Sequence, residues 1–146
     1  MHLLFPLHLF STFALFGLIW FVQIVHYPLH RLVAPAEFPR YEAEHADRTG
    51  YVAAPLMILE LGTALALLLP RWRPAFIPAR DAWLGAALVA LLWLTTFAIQ
   101  VPLHNRLHRA HNPAAIARLI RTNWIRTLLW SARSVLLLLW LGRALA

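Results

Sequence analysis

The segment Val25–Pro35 reads VHYPLHRLVAP and places two histidines, His26 and His30, at the end of a long apolar run. A related segment, LHNRLHRAHNP, occupies Leu103–Pro113 and follows a second apolar run. A polar segment directly after a run of about 20 mostly apolar residues is typical of the end of a membrane-crossing helix. The two segments therefore predict two membrane-crossing helices, each of which ends in a polar stretch that contains histidines.

The composition points the same way. Of the 146 residues, 61% are hydrophobic and 13% are charged, about half of the charged fraction of roughly 25% in soluble domains. The chain has no cysteine, which excludes disulfides and thiolate metal sites. The net charge is +7 and every basic residue is arginine. In so apolar a chain this charge predicts contact with the lipid bilayer and anionic headgroups, and no nucleic acid partner.

Four segments are long and apolar enough to cross a membrane, and they predict a single transmembrane domain over residues 1–146. They are Leu3–His26, Val52–Leu69, Trp83–Val101 and Trp124–Leu141. An even number of spans puts both termini on one side. Seven arginines then lie on the side of the two longer connections and four on the opposite side. By the positive-inside rule the long connections are expected in the cytoplasm, in a bacterial inner membrane.

A shift of 78 residues brings the two histidine segments into alignment. His26 then falls on His104, and Arg48-Thr49 falls on Arg126-Thr127. Because these identities lie in polar stretches, shared hydrophobicity does not explain them. The alignment predicts an all-α integral membrane four-helix bundle made of two duplicated helical hairpins.

The first repeat covers about 1–69, the second about 81–146, and 70–80 connects them. Because both hairpins start on one side, they are expected to form a parallel repeat with a pseudo-twofold axis along the membrane normal. His26 would then face His104, and Arg48 would face Arg126.

The aligned residues predict a polar site near one membrane face, built from His26, His45, Arg48, His104, Asn123 and Arg126. A haem b fits this set if His26 and His104 hold the iron and the two arginines neutralise the propionates. A copper or zinc ion held by His26, His45 and His104 is the alternative metal site. Glu42-x-x-His45 also resembles half of a di-iron motif, but the second copy has Ile120 and Asn123 there, which disfavours a di-iron centre.

Two charged residues, Glu60 and Arg133, lie deep in the second and fourth apolar segments. Ionisable groups at such depth are functional candidates by default. They are expected to pair with each other, or to form a proton relay or a contact to a polar part of a lipophilic substrate. The histidines nearer the helix ends, His30, His108 and His111, are interpreted as capping or headgroup residues.

Several patterns resemble a known family. They are WFVQIVHYP at Trp20–Pro28, FPRY at Phe38–Tyr41, PLMILE at Pro55–Glu60, and NWIRT at Asn123–Thr127 followed by WSAR at Trp130–Arg133. The chain is similar in these patterns, over nearly its whole length, to the small four-helix membrane proteins grouped with the anthrone oxygenases. The resemblance implies oxidation of a lipophilic quinone-like or phenolic molecule.

A fainter likeness, at Trp20-Phe21, Tyr27-Pro28 and Pro55–Leu59, is to the membrane-integral haem-associated protoporphyrinogen oxidases. The small copper-resistance membrane domain is a weaker comparison.

Two functional hypotheses follow. The first is a membrane oxidoreductase that acts on a lipophilic aromatic or quinone-like substrate with haem b, in which His45, Glu60, Asn123 and Arg133 serve catalysis. The second is a non-catalytic membrane subunit or small carrier whose arginine-rich arms bind a partner or lipid headgroups. A homo-oligomer or a complex with a membrane partner is consistent with either.

Overall fold

The computed structural model describes residues 3–146, and the regular secondary structure in that range is entirely helical. The elements are α1 Leu4–Phe21, a first π turn Val22–His26, α2 Tyr27–Leu29, a 3₁₀ turn His30–Leu32, α3 Phe38–Leu68, α4 Ala79–Thr95, a second π turn Thr96–Gln100, α5 Val101–Leu107 and α6 Pro113–Leu145.

Within residues 3–146 these elements join into four long helices, each apolar and long enough to cross a membrane. They span Leu4–Leu32, Phe38–Leu68, Ala79–Leu107 and Pro113–Leu145. At a rise of 1.5 Å per residue, helices of this length measure about 45 Å, and a bilayer core is about 30 Å thick. In a bilayer, helices of this length would extend beyond the apolar core. The predicted all-α four-helix architecture is confirmed, with the second and fourth helices starting well before Val52 and Trp124.

The start of α6 follows the capping rule that its sequence predicts. The Asn112 side chain accepts a hydrogen bond of 2.9 Å from the backbone N–H of Ala115. Pro113 occupies the first turn, where its missing N–H costs no helical hydrogen bond. Pro39 has the equivalent place in the first turn of α3.

The two π turns coincide with prolines in the first and third long helices. Pro28 and Pro102 stand just after the turns, in the first turn of α2 and of α5. A proline inside a helix lacks an N–H and its ring clashes with the carbonyl four residues earlier. Those carbonyls belong to Ile24 and Ala98, which lie within the π turns. The wider turn accommodates the clash and rotates the residues that follow, and such turns are frequent at functional sites.

Each half contains a long helix, a π turn, a short helix that has a proline in its first turn, and a second long helix, but in a different register from the 78-residue alignment. The π turns begin 74 residues apart, at Val22 and Thr96. Pro28 and Pro102 have the same spacing. In this register His30, rather than His26, corresponds to His104, because Pro-Leu-His occupies 28–30 and 102–104. The expected meetings of His26 with His104 and of Arg48 with Arg126 do not occur.

The bundle is held by three clusters of buried apolar residues along its length. α1 contacts both α3 and α6, and α4 contacts the same two helices on their other side. One cluster, which includes Phe38, Leu107 and Leu119, lies at the end with the long connections. It fixes the start of α3 against α5 and α6, and so positions the polar residues of α3.

Candidate functional site

Glu42, one turn into α3, is the centre of a polar cluster at this end of the bundle. The side chain is fully buried, and each of its oxygens faces a histidine from another helix. Nδ1 of His104, on α5, contacts Oε1, and Nε2 of His30 lies 3.3 Å from Oε2. Because an ionised carboxylate can only accept, His104 donates its Nδ1–H to Glu42.

The same geometry fixes the role of the other nitrogen of His104. Its Nε2 lies 3.0 Å from the hydroxyl of the buried Tyr27. With the proton on Nδ1, Nε2 carries the lone pair and accepts from the Tyr27 O–H. Tyr27, His104 and Glu42 thus form one hydrogen-bonded chain from a phenol through an imidazole to a carboxylate.

A second group of imidazoles lies against this chain. His26, the last residue of the first π turn, has its Nε2 2.8 Å from Nδ1 of His45 on α3. The Thr49 hydroxyl, one turn further along α3, is 3.1 Å from the same Nδ1. The ring of His30 lies 5.2 Å from that of His26 and 5.1 Å from that of His45, measured between ring centres. These three histidines are the group best placed to hold a metal ion in the described residues.

Two grooves flank α3 at the cluster. The first, of about 720 Å³, is lined by His26 and His45 together with apolar residues such as Phe21 and Val22. The second, of about 470 Å³, lies between α3 and the third long helix and is lined by His45, His104, Met57, Trp93 and Phe97, among others. Both volumes fall in the range of small-molecule sites, about 300–1,000 Å³. His45 and Thr49 line both grooves, so this part of α3 separates them.

Asn123, predicted to be catalytic, lies in a buried hydrogen-bond network, in which its Oδ1 accepts from Arg126 NH1 at 3.3 Å. It is fully buried, and its Nδ2 donates to Oε1 of Gln23 at 3.0 Å. Gln23 in turn donates to the backbone carbonyl of Ile120 at 3.2 Å. Because Gln23 lies in the first π turn, these bonds attach that turn to α6. Asn123 is not among the residues that line either groove.

The two arginines predicted to act together lie in unlike surroundings. Arg48 is exposed and its Nε donates to Glu44 at 3.0 Å. The Arg126 guanidinium is 5.1 Å from the centre of the Trp130 ring and lines the second groove. They do not form the paired counter-ions that two propionates require.

The cluster also lacks the arrangement that a haem requires. In a bis-histidine site the two ligating nitrogens face each other across the macrocycle with free lone pairs. Here Nε2 of His26 is bonded to His45, and Nε2 of His104 is bonded to Tyr27. These residues therefore do not fit a haem, in contrast to the arrangement predicted from the 78-residue alignment.

Glu60 and Arg133 form a separate buried network. Arg133 Nε donates to Glu60 Oε1 at 2.8 Å, and both side chains are buried. Glu60 lies 15 residues beyond His45 on α3, or about 22 Å along the helix. The predicted pairing is confirmed, but the structure does not bring this pair into the same site as His45.

Four residues with major roles were not predicted from the sequence. Tyr27 was quoted only within the family patterns, yet its hydroxyl is 3.0 Å from His104 Nε2. His30 was read as a helix-end residue, yet it is fully buried against Glu42. Glu42 was considered only as part of a disfavoured di-iron motif. His8 was not assigned to a site, although it joins the Glu60–Arg133 network. The repeated Pro-Leu-His could have identified His30 and His104 as equivalent residues.

In comparisons with protein-family models, with characterised proteins and with solved structures, the chain matched none. The functional conclusion therefore depends on the geometry of the cluster and its grooves.

Proposed function

We propose that this chain is a membrane oxidoreductase that acts on a lipophilic phenolic or quinone-like substrate at the Tyr27–His104–Glu42 chain. The observation that carries the proposal is the state of His104. Its Nδ1 is held by a buried carboxylate, and its Nε2 accepts a hydrogen bond from a phenol, the Tyr27 hydroxyl. A substrate phenol offers the same donor to the same nitrogen.

The carboxylate gives His104 the properties of a general base. A buried carboxylate bonded to Nδ1–H fixes the tautomer that leaves Nε2 as acceptor, and it stabilises the imidazolium that forms when Nε2 takes a proton. Positioned bases of this kind accelerate proton transfer by about 10²–10⁴-fold. Because His104 and Tyr27 both line the second groove, a substrate there would be within reach of this base.

The second groove suits a substrate dissolved in the bilayer. Its wall is largely apolar and includes Met57, Trp93 and Phe97. It lies between two long apolar helices, so a flat aromatic molecule could enter from the side without crossing water. Trp93 and Phe97 offer ring faces, whose centres are 5.6 Å apart, against which an aromatic substrate could stack.

The reaction follows from proton removal. Loss of a proton from a phenol, or from an acidic CH₂ beside an aromatic ketone, gives an electron-rich anion that dioxygen can oxidise. For the CH₂ group, the substrate and O₂ give a C=O group and one water. One oxygen atom enters the product, and both carbon-bound hydrogens end in the water. The resemblance to the anthrone-oxygenase group supports this substrate class.

Turnover by the purified protein tests the proposal. The chain in lipid nanodiscs is given an anthrone and a panel of lipophilic phenols, and oxygen uptake and product are followed. We expect the Glu42→Gln variant to lose at least about 100-fold in rate, because the orienting carboxylate is gone. Glu44→Gln changes a neighbouring exposed acid and should stay within about twofold. No protein-dependent oxygen uptake in the wild type, or full activity in Glu42→Gln, would contradict the proposal.

The finer architecture is also proposed. We infer that the hairpins arose by duplication and are related by a pseudo-twofold axis along the membrane normal, in the 74-residue register. The shared succession of π turn, proline and long helix supports this. The arginine distribution supports a bacterial inner membrane with the long connections in the cytoplasm.

A second candidate function, a non-catalytic subunit or small carrier, is favoured by one observation. The seven arginines of the long connections and helix starts are all exposed: Arg31, Arg40, Arg48, Arg106, Arg109, Arg118 and Arg121. Such a group attracts anionic headgroups or an acidic partner. In this case a double Arg40→Gln, Arg118→Gln variant would lose bound anionic lipid, measured by lipid extraction and mass spectrometry. Glu42→Gln would leave the bound lipid unchanged.

A further inference from the structure

We propose that His26, His30 and His45 bind one divalent ion of a late first-row transition metal. One ring nitrogen from each residue lies within 4.8 Å of the other two. The proposal does not depend on the reaction above, because it concerns a different arm of the cluster. The two arms meet at Glu42, which contacts both His30 and His104.

The three nitrogens, at most 4.8 Å apart, are near enough to share one ion. Zinc–nitrogen bonds of 2.0–2.1 Å in a tetrahedral site put ligand nitrogens about 3.3 Å apart. His26 Nε2 and His45 Nδ1 are 2.8 Å apart, slightly closer than this. Binding one ion would draw the three rings together and replace the hydrogen bond between His26 and His45.

His30 has the outer hydrogen bond that metal-binding histidines usually make. Its Nδ1 lies 3.2 Å from the backbone carbonyl oxygen of His26 and donates to it. A bond of this type fixes the tautomer and directs the other nitrogen at the metal. It leaves Nε2 of His30 as the ligand atom, and this nitrogen makes no hydrogen bond within the described residues.

The contact between His30 and Glu42 suits a nearby cation. His30 Nε2 and Glu42 Oε2 are 3.3 Å apart without hydrogen-bond geometry, and each lacks a hydrogen-bond partner in the described part of the chain. Both side chains are fully buried. When His30 Nε2 carries its lone pair, two acceptors face each other in this buried site, and leaving them unsatisfied costs free energy. An ion on the three histidines would take the lone pair of Nε2, and its charge would offset that of Glu42.

The ligand set indicates the class of ion. Three imidazoles suit copper, zinc, nickel, cobalt or iron, whereas calcium and magnesium prefer oxygen ligands. Three protein ligands leave a fourth position for an exogenous ligand, as in catalytic zinc sites. Since His26 and His45 line the first groove, that fourth ligand could come from the groove.

Metal titration of the full chain tests this site. The protein is purified in mild detergent with a tag that contains no histidine, stripped with chelator and titrated with Cu²⁺. We expect one equivalent bound per chain, with nitrogen couplings of coordinated imidazoles in the electron paramagnetic resonance spectrum. His30→Ala and His45→Asn should each bind Cu²⁺ about 100-fold more weakly. Loss of a residue that only hydrogen-bonds to a metal ligand already lowers metal affinity by about 10–100-fold. His111→Ala, a half-buried histidine beside Phe38, is the matched control and should bind normally.

Two results would overturn the site. One is wild-type protein that retains no stoichiometric Cu²⁺ or Zn²⁺. The other is unchanged affinity in both His30→Ala and His45→Asn, which would mean adventitious binding to other histidines. Because binding is measured without substrate, failure here leaves the oxidation proposal standing. Metal binding without oxygen-dependent turnover would overturn that proposal alone.

Discussion

Glu42 and Glu60 lie on the same helix, α3, and both are fully or almost fully buried, yet their surroundings differ. Both oxygens of Glu60 accept hydrogen bonds: Oε1 from Thr12 and Arg133, and Oε2 from Trp130 at 3.1 Å. Glu42 has one oxygen on His104 and a second without a hydrogen bond. A buried polar atom without a partner calls for an explanation such as a functional role, and His104, the partner of Glu42, lines the second groove.

The network around Glu60 is complete on the arginine side as well. Arg133 donates from NH1 to the Gly85 carbonyl at 2.6 Å and from NH2 to His8 Nε2 at 3.1 Å. Since arginine cannot accept, His8 must carry its proton on Nδ1, and it donates to Thr63 Oγ1 at 2.7 Å. The Thr63 hydroxyl then donates to the Leu59 carbonyl, also at 2.7 Å. These bonds connect α1, α3, α4 and α6.

The largest expected difference in unfolding free energy is between Glu60→Gln and Glu42→Gln. Glu60→Gln leaves the Arg133 guanidinium buried without its counter-charge, which costs about 3–5 kcal/mol for broken buried pairs. Glu42→Gln keeps an oxygen that can accept from His104, so its cost should be about 1 kcal/mol. Unfolding in mixed detergent–SDS micelles measures both free energies.

Equal losses from the two variants would contradict the distinction between a structural and a functional glutamate. The double variant Glu60→Gln, Arg133→Met provides a control. It removes both charges together, so it should recover part of the stability that Glu60→Gln loses.

The number and the type of the helices could be predicted from the sequence, because they depend on composition and on local chemistry. Four apolar runs predicted four helices. The pairing of Glu60 with Arg133 was predictable too, because two opposite charges deep in apolar helices have few other partners.

The arrangement of the site was not readable in the same way. The 78-residue alignment matched identical residue types. A π turn adds a residue to a helical turn, however, and so changes which side chains face inward. Each half has one, so the facing residues are set by the turns and prolines rather than by the best letter match. His8 was missed for a related reason: its partners Arg133 and Thr63 are distant in sequence, and only the assembled helices bring them together.

A smaller difference is expected from two buried or half-buried threonines. Thr12 donates to Glu60 Oε1 at 2.8 Å, so Thr12→Val removes a hydrogen bond to a charged group, worth about 1.5–3 kcal/mol. Thr49 contacts only a ring nitrogen of His45, at 3.1 Å, and lines both grooves. Thr49→Val should cost about 0.5–1 kcal/mol. Both substitutions keep the β-branched shape, so the unfolding free energies compare the hydrogen bonds directly.

A larger loss of unfolding free energy in Thr49→Val than in Thr12→Val would contradict this prediction. It would mean that the hydrogen bonds around His45 stabilise the fold more than those around Glu60. Thr49→Ser is the useful control, because it keeps the hydroxyl and should retain the hydrogen bond to His45.

The smallest expected effect concerns two helical glycines. A Cβ at Gly85 would lie 3.1 Å from the Trp140 ring and 3.6 Å from Arg133 NH1, whereas a Cβ at Gly50, beside the second groove, would meet nothing within 4 Å. Alanine favours a helix over glycine by about 1 kcal/mol, and overpacking a filled core costs about 1–3 kcal/mol. Since the fully buried Trp140 ring would have to shift to accept this Cβ, Gly85→Ala should lose about 1 kcal/mol net. Gly50→Ala should gain up to about 1 kcal/mol. The same unfolding assay measures both free energies. A gain in stability from Gly85→Ala would contradict the prediction, because it would show that the side chains around Arg133 can move to accept an added methyl group.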